Sequence, residues 1–334
     1  MAHKGLRFTA TCAVILAFLV VMLGAFTRLT DAGLGCPDWP GCYGRLVLPS
    51  GLIDLTQAQN QYPEIPIESG KAWTEMAHRY AAGTLGLLIL GMALYVFRLV
   101  GQRRRVPWVL PSVLLLLVLF QAALGMWTVT LKLLPVVVMG HLLGGILIFA
   151  CLCYFWWQLS PFQGMCMPRW RAWINVGILI VFCQIALGGW VSSNYAGIAC
   201  IGFPRCNGQW LPTLYFAKAF DVFSSIGANY QGGVLDNEIR VTIQWIHRIG
   251  AYITAVYVLM LSGFLLWCAK SCALRCVAGL ALLLVMLQLT FGIINVIYLL
   301  PLWAAVAHNG LAALLLASMV SLRYLTSEGV SYDG

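Results

Sequence analysis

The chain has 334 residues, 61% hydrophobic and only 9% charged, with a mean hydropathy of +0.86. Soluble domains carry roughly 45–50% apolar and about 25% charged residues, so an ordinary soluble protein, a disordered chain and a small secreted disulfide scaffold are all excluded. The formal net charge is +9, and its placement along the chain decides whether it points to nucleic acid or to a membrane.

A transmembrane helix needs about 20 apolar residues. Eight such stretches occur in chain order, at 8–27, 74–98, 107–130, 136–158, 172–192, 242–267, 273–297 and 302–323. Two long polar stretches, 28–73 and 193–241, interrupt them, and the other connections are short. The first stretch has a basic start but no small-x-small cleavage site after it, and the chain runs on through Phe26-Thr27-Arg28. It is therefore expected to be a retained helix and not a signal peptide. No Arg- and Ser-rich transit segment precedes it, which points to a bacterial plasma membrane.

With the N-terminus inside, Lys4, Arg7, Arg98, Arg103, Arg104, Arg105, Arg169, Arg171, Lys270, Arg275 and Arg323 fall on the inner side, against only Glu328 and Asp333. The nine basic residues left for the outer side face nine acidic ones. The whole net charge thus sits on one face, as the positive-inside bias expects. The basic balance reports topology. No nucleic-acid-binding motif accompanies it, and both termini are expected in the cytoplasm with the long loops outside.

The two halves resemble each other. At an offset of 164, Leu23-Gly24 meets Leu187-Gly188, Ala32-Gly33 meets Ala196-Gly197, Cys36 meets Cys200, Pro40 meets Pro204, Cys42 meets Cys206 and Gly44 meets Gly208. At 167, Gln121, Gly125 and His141 meet Gln288, Gly292 and His308; at 169, His78-Arg79 meets His247-Arg248. Chance similarity between apolar helices would align Leu and Ala, not these Cys, His and Pro positions. The expected fold is all-α and integral to the membrane, as two four-helix bundles over 1–160 and 165–327. Because four is even, the repeat is parallel, related by an axis along the membrane normal. Gly24, Gly125, Gly188 and Gly292 recur near the outer ends of odd-numbered helices; close helix packing and room for a flat ligand are both open for them.

Apart from His3 at the polar N-terminus, the histidines are His78, His141, His247 and His308, each about five residues into an even-numbered span from its outer end. A single histidine in a membrane helix is commonly a helix–helix hydrogen-bonding group. Four at one depth, two per repeat, fit pairs of imidazoles on facing helices holding an iron porphyrin from both sides. Zinc would favour a tighter cluster of three or four ligands. Arg79 and Arg248 follow His78 and His247 directly; they suit haem propionates or simple snorkelling to the interface. Glu75 lies three residues before His78, where the second repeat has Gln244 before His247. Residues three apart share a helix face, so Glu75 is expected beside His78, either for proton-coupled chemistry or in an ion pair with Arg79.

Of 12 cysteines, four lie in the long loops as Cys36 and Cys42, and Cys200 and Cys206. An outer compartment permits a disulfide in each, and closing so short a loop would stabilise by about 2–3 kcal/mol. Zinc-ribbon spacing is lacking. A structural clamp and a redox-active pair are both open. The other eight are expected to be reduced, small apolar residues.

Together, the loop stretch Gly33-Leu34-Gly35-Cys36-Pro37-Asp38-Trp39-Pro40-Gly41-Cys42, the Glu-x-x-His of the second span, and His141, His247 and His308 resemble the haem A synthase family over nearly the whole chain. The resemblance implies oxidation of a ring methyl of haem O to a formyl group, giving haem A for terminal oxidases. It further implies haem B held by His247 and His308 in the C-terminal bundle. The substrate haem would lie between His78 and His141 in the N-terminal one, with Glu75 as the catalytic carboxylate. Haem O synthase and oxidase assembly factors are the expected protein partners; the electron partner is open. Two other readings use parts of the same pattern. A di-haem b-type cytochrome exchanging electrons with quinol needs the four histidines but not Glu75 at one site. A transporter with duplicated halves explains the repeat, but needs broken helices at mid-membrane, and none is evident.

Overall fold

The computed structural model describes residues 2–48, 51–63, 66–162, 164, 167–223, 225–226 and 228–327. Residue 165, the expected start of the second bundle, and Glu328 and Asp333 lie outside the described residues. Within them the chain folds into ten helices: α1 (Ala2–Leu29), α2 (Leu52–Gln61), α3 (Ser69–Gly101), α4 (Val109–Thr130), α5 (Pro135–Gln158), α6 (Pro168–Ser193), α7 (Phe216–Ala219), α8 (Asn237–Cys268), α9 (Cys272–Ile297) and α10 (Leu302–Leu325). All except α2 and α7 are long and apolar enough to cross a membrane, and each matches one of the eight expected stretches. Helices suit that solvent because every backbone N–H and C=O is bonded within the segment.

The two helices that follow the long connections both begin earlier than their hydropathy suggests. The apolar run opens at 74 in α3 and at 242 in α8, whereas the helices start at Ser69 and Asn237. These added turns are polar, and the loops hold them. The backbone of Gly35 lies directly on α3, where a Cβ would come within 2.7 Å of Lys71. In α8 Arg240 donates to the carbonyls of Leu235 and Gly233, at 2.6 and 3.1 Å. The short α2, ten residues rich in Gln, is too short and too polar to stand out among the long apolar stretches.

Helix α1 packs on α3 and α5, and α4 closes the ring between them; α6 packs on α8 and α10, with α9 closing the second ring. The rings meet through α1 with α10, α5 with α10 and α5 with α6. Small residues set this seam. Ala10, Ala13 and Ala17 of α1 are buried, and Gly310 of α10 lies against Met22 and Phe18. Such residues let helix backbones approach where lipid supplies no hydrophobic drive between helices. The two bundles therefore share one core, running from Leu6 and Ala13 through Leu152 and Phe155 to Leu316 and Leu322. Side chains such as Leu116, Leu119, Leu179 and Met260 point outward.

The two long connections lie on one face of the molecule, here termed the loop face, since an even number of crossings separates them. Their disulfides close within each loop, Cys36–Cys42 and Cys200–Cys206, with Cα atoms 4.8 and 4.9 Å apart. Each loop has its own polar staple. Asp38 accepts the N–H groups of Tyr43 and Gly44 at 2.7 and 2.9 Å, and Asn207 accepts that of Ile201 at 2.9 Å while donating to the Ala199 carbonyl. The second loop also reaches across the repeat, where Tyr230 donates its N–H to the Lys132 carbonyl at 3.0 Å. Peptide mapping of the freshly isolated, non-reduced protein should recover each pair as a within-loop disulfide. Four free thiols, or peptides joined between the loops, would contradict the fold at these positions.

Candidate functional site

Each histidine stands opposite a glycine of the preceding membrane helix. A Cβ added at Gly24 would lie 3.0 Å from His78 Cε1; at Gly125, 3.2 Å from His141; at Gly188, 3.1 Å from His247; and at Gly292, 3.4 Å from His308. All four glycines therefore make room for an imidazole. Of the two uses open in the sequence, the structure gives the side chain a neighbour: a flat ring belonging to the protein itself. The Nδ1 atoms of His78, His141 and His308 are buried, which leaves Nε2 as the nitrogen available to a ligand. His247 Nδ1 lies 3.1 Å from Gln184 Nε2.

Three glutamines complete the pattern. Gln121 donates to the backbone carbonyl of His141, Gln184 to that of His247 at 3.0 Å, and Gln288 to that of His308 at 2.7 Å. Each lies four residues before the glycine that faces the same histidine. Sequence reasoning paired Gln121 with Gln288 but overlooked Gln184 and the contact itself. The spacing Gln-x-x-x-Gly in α4, α6 and α9 is the signal that could have found it.

The four histidines line one cavity of about 1730 Å³ that runs through both bundles. Its wall is mostly apolar, with Glu75, Arg79, Gln244 and Arg248 near the loop face. His78 and His141 have ring centroids 6.3 Å apart and planes at 83°. Two metal–imidazole bonds of about 2.0–2.1 Å, together with the half-width of each ring, fill that separation. Among the described residues no three His, Cys, Asp or Glu side chains converge. The donor set is thus imidazole pairs beside a large apolar space, which fits a porphyrin and not a compact zinc centre.

Glu75 is 4% exposed. Its Oε1 pairs with Arg79 Nη2 at 2.5 Å, and its Oε2 accepts the Cys36 N–H at 2.8 Å. The carboxylate therefore ties the first disulfide loop to α3 while also facing the cavity. The ion pair and the cavity position, set against each other in the sequence, occur together. Gln244 keeps the equivalent place in α8, buried, with its Oε1 unpartnered.

Both arginines bind loop carbonyls. Arg79 Nη1 donates to Asp38 at 2.9 Å, and to Pro40 and Gly41. Arg248 donates to Gly202 at 2.9 Å, and to Arg205 and Cys200. Neither is simply snorkelling into solvent. A further group joins the repeats. Arg28 donates to the Ser192 carbonyl at 2.5 Å and lies 3.9 Å over the Tyr195 ring, whose hydroxyl donates to Asp31 at 3.0 Å. These positions are related by the same offset of 164, but their residue types differ, so repeat matching did not reveal them.

Residues 7–320 match the family model of the cytochrome oxidase assembly proteins COX15 and CtaA. The chain belongs to this family. A haem A synthase of Shewanella oneidensis is 44% identical, with 93% of each chain covered. Proteins of the same name from Chelativorans and Shouchella clausii are 28% and 26% identical; their alignments cover 93% and 87% of this chain, and 88% and 86% of theirs. The family match and the apolar helices agree on a multi-pass membrane protein.

Proposed function

We propose that this chain is an oxidoreductase that converts haem O to haem A for terminal oxidases, with the chemistry in the N-terminal bundle (1–160) and a resident haem B in the C-terminal one (165–327). The observation that carries the division is the unequal partner of two otherwise matched sites: Glu75 one turn before His78, and Gln244 one turn before His247. The names of the similar proteins support the reaction. A di-haem cytochrome that only passes electrons would use the four histidines equally and leave this difference without a role.

His78 and His141 would flank the substrate haem, and His247 and His308 would ligate haem B. When bound, haem B supplies one-electron redox chemistry at its iron. The protein's own part is positioning, proton handling and exclusion of water. Turning a methyl into a formyl group takes two oxidations at one carbon, and the protons released need an acceptor. Glu75 is a buried carboxylate at the cavity wall beside His78, and Arg79 with the Cys36 N–H fixes its orientation. The apolar helices leave the farnesyl tail of haem O a place between them or in lipid. Beyond their loop contacts, Arg79 and Arg248 also line the cavity and would meet propionates there. The topology follows the charge: disulfide loops outside, termini in the cytoplasm of a bacterium, with haem O synthase and oxidase assembly factors as partners.

Expression in cells that make haem O but not haem A tests the reaction. Extracted pigment should contain haem A only when the chain is present; haem O left unchanged beside folded, haem-loaded protein would contradict it. The glycine contacts give a second expected result. Gly188→Leu drives a side chain into His247 and should weaken retention of the resident haem about 10–100-fold, the usual cost of disturbing a ligand's support. Gly263→Leu, where a Cβ meets nothing within 4 Å, should not. Equal haem content in the two purified variants would show that the glycine pocket does not set the ligand.

A further inference from the structure

Three of the four histidines are pinned at their backbone by a neighbouring helix. Gln121 holds the His141 carbonyl, Gln184 the His247 carbonyl and Gln288 the His308 carbonyl. The fourth place in this pattern, four residues before Gly24, is Val20, which has no donor. The segment around His78 is held from the other direction. Glu75 and Arg79, one on each side of His78 in α3, bind the Cys36–Cys42 loop.

We propose that Gln121, Gln184 and Gln288 are positioning residues that keep three imidazoles fixed. His78, which has no such glutamine on its carbonyl and whose flanking residues bind the first disulfide loop, is the displaceable ligand of the four. The proposal rests on the haem reading above. An imidazole backed by a helix cannot leave a metal by ring rotation alone when a glycine pocket confines the ring. Its helix must shift, and an interhelical amide bond at the histidine itself resists that shift. At His78 no side-chain amide of α1 reaches the backbone carbonyl; α1 meets only its ring, through the Val20 carbonyl. A movement of the loop, transmitted through Glu75 and Arg79, would reposition this ligand without disturbing the other three. The free position falls in the bundle where substrate must enter, react and leave; the double-pinned His247, with Gln184 on both its carbonyl and its Nδ1, falls where haem is to stay.

Carbon monoxide, added to reduced protein, reads the difference as a shift of the haem absorption band. Protein purified from cells lacking haem O, carrying only resident haem, should be refractory to carbon monoxide. Gln288→Met, similar in shape but without the donor, should make that haem bind it at least about tenfold faster, the effect of one lost hydrogen bond. In protein loaded with haem O, the added haem should bind carbon monoxide readily. Val20→Gln, which supplies the missing donor, should slow that binding by about tenfold. Binding unchanged in either variant, with haem content and elution as a single species matching the parent protein, overturns the proposal. A folded parent protein that holds no haem overturns the functional reading and this proposal with it.

Discussion

Glu75→Gln is expected to leave the protein folded and haem-loaded while cutting haem A formation by about 10²–10⁴-fold, the usual contribution of a positioned acid–base group. The substitution makes the first site match the second, where Gln244 already stands. It keeps an oxygen that can accept the Cys36 N–H and so keeps much of the loop anchor. What it removes is the proton acceptor and the charge that balances Arg79. Haem O, or a partly oxidised alcohol, should accumulate in place of haem A. A purely structural carboxylate gives a different pattern: Arg79, left without its charge partner, would lower protein yield or loosen the loop, and turnover per intact molecule would stay near that of the parent. Haem A formed per mole of haem-loaded protein separates these outcomes, and near-parental turnover would refute the catalytic role of Glu75.

The second large effect concerns the C-terminal pair. Purified protein should show a six-coordinate, low-spin b-type haem signal, and His247→Ala or His308→Ala should abolish it. Each substitution would remove one of the two imidazoles proposed to hold the haem, and the glycine facing it, Gly188 or Gly292, leaves nothing else there to ligate. The helices should survive, because α8 and α10 are embedded in the shared core through residues such as Val258, Leu265, Leu316 and Leu322, far from the loop-face end that carries the histidines. A double variant that is well folded and keeps the full low-spin signal would remove His247 and His308 from the ligand set.

Much of the architecture was legible because membrane solvent imposes a simple rule on sequence: long apolar stretches must be helices. That rule located eight spans. It failed where helices leave the apolar zone. The first turns of α3 and α8 are polar and are held by loop contacts such as Gly35 on Lys71, which no periodicity reports. The histidines were visible by their matched depth. The meaning of Gly24, Gly125, Gly188 and Gly292 was not, since a glycine acquires a role only from what faces it across a helix pair. Gln184 escaped notice for the same reason: alone in an apolar helix it is one polar residue, and its partner carbonyl is 63 residues away. Glu75 illustrates a third limit. Its spacing from His78 and from Arg79 supported two readings, and only the geometry revealed that one carboxylate serves both directions, with one oxygen on Arg79 and the other on the loop. The shared core was equally hidden, because apolar faces of a bundle do not declare which neighbour they bury against.

The division of labour between the bundles is tested most directly by extracting and identifying the haems that remain when one imidazole pair is removed from protein made in cells that supply haem O. His78→Ala with His141→Ala should yield protein that retains haem B, contains neither haem O nor haem A, and forms no haem A. Loss of haem B from that variant, with haem O or haem A still bound and haem A still formed, would contradict the assignment of substrate to the N-terminal bundle.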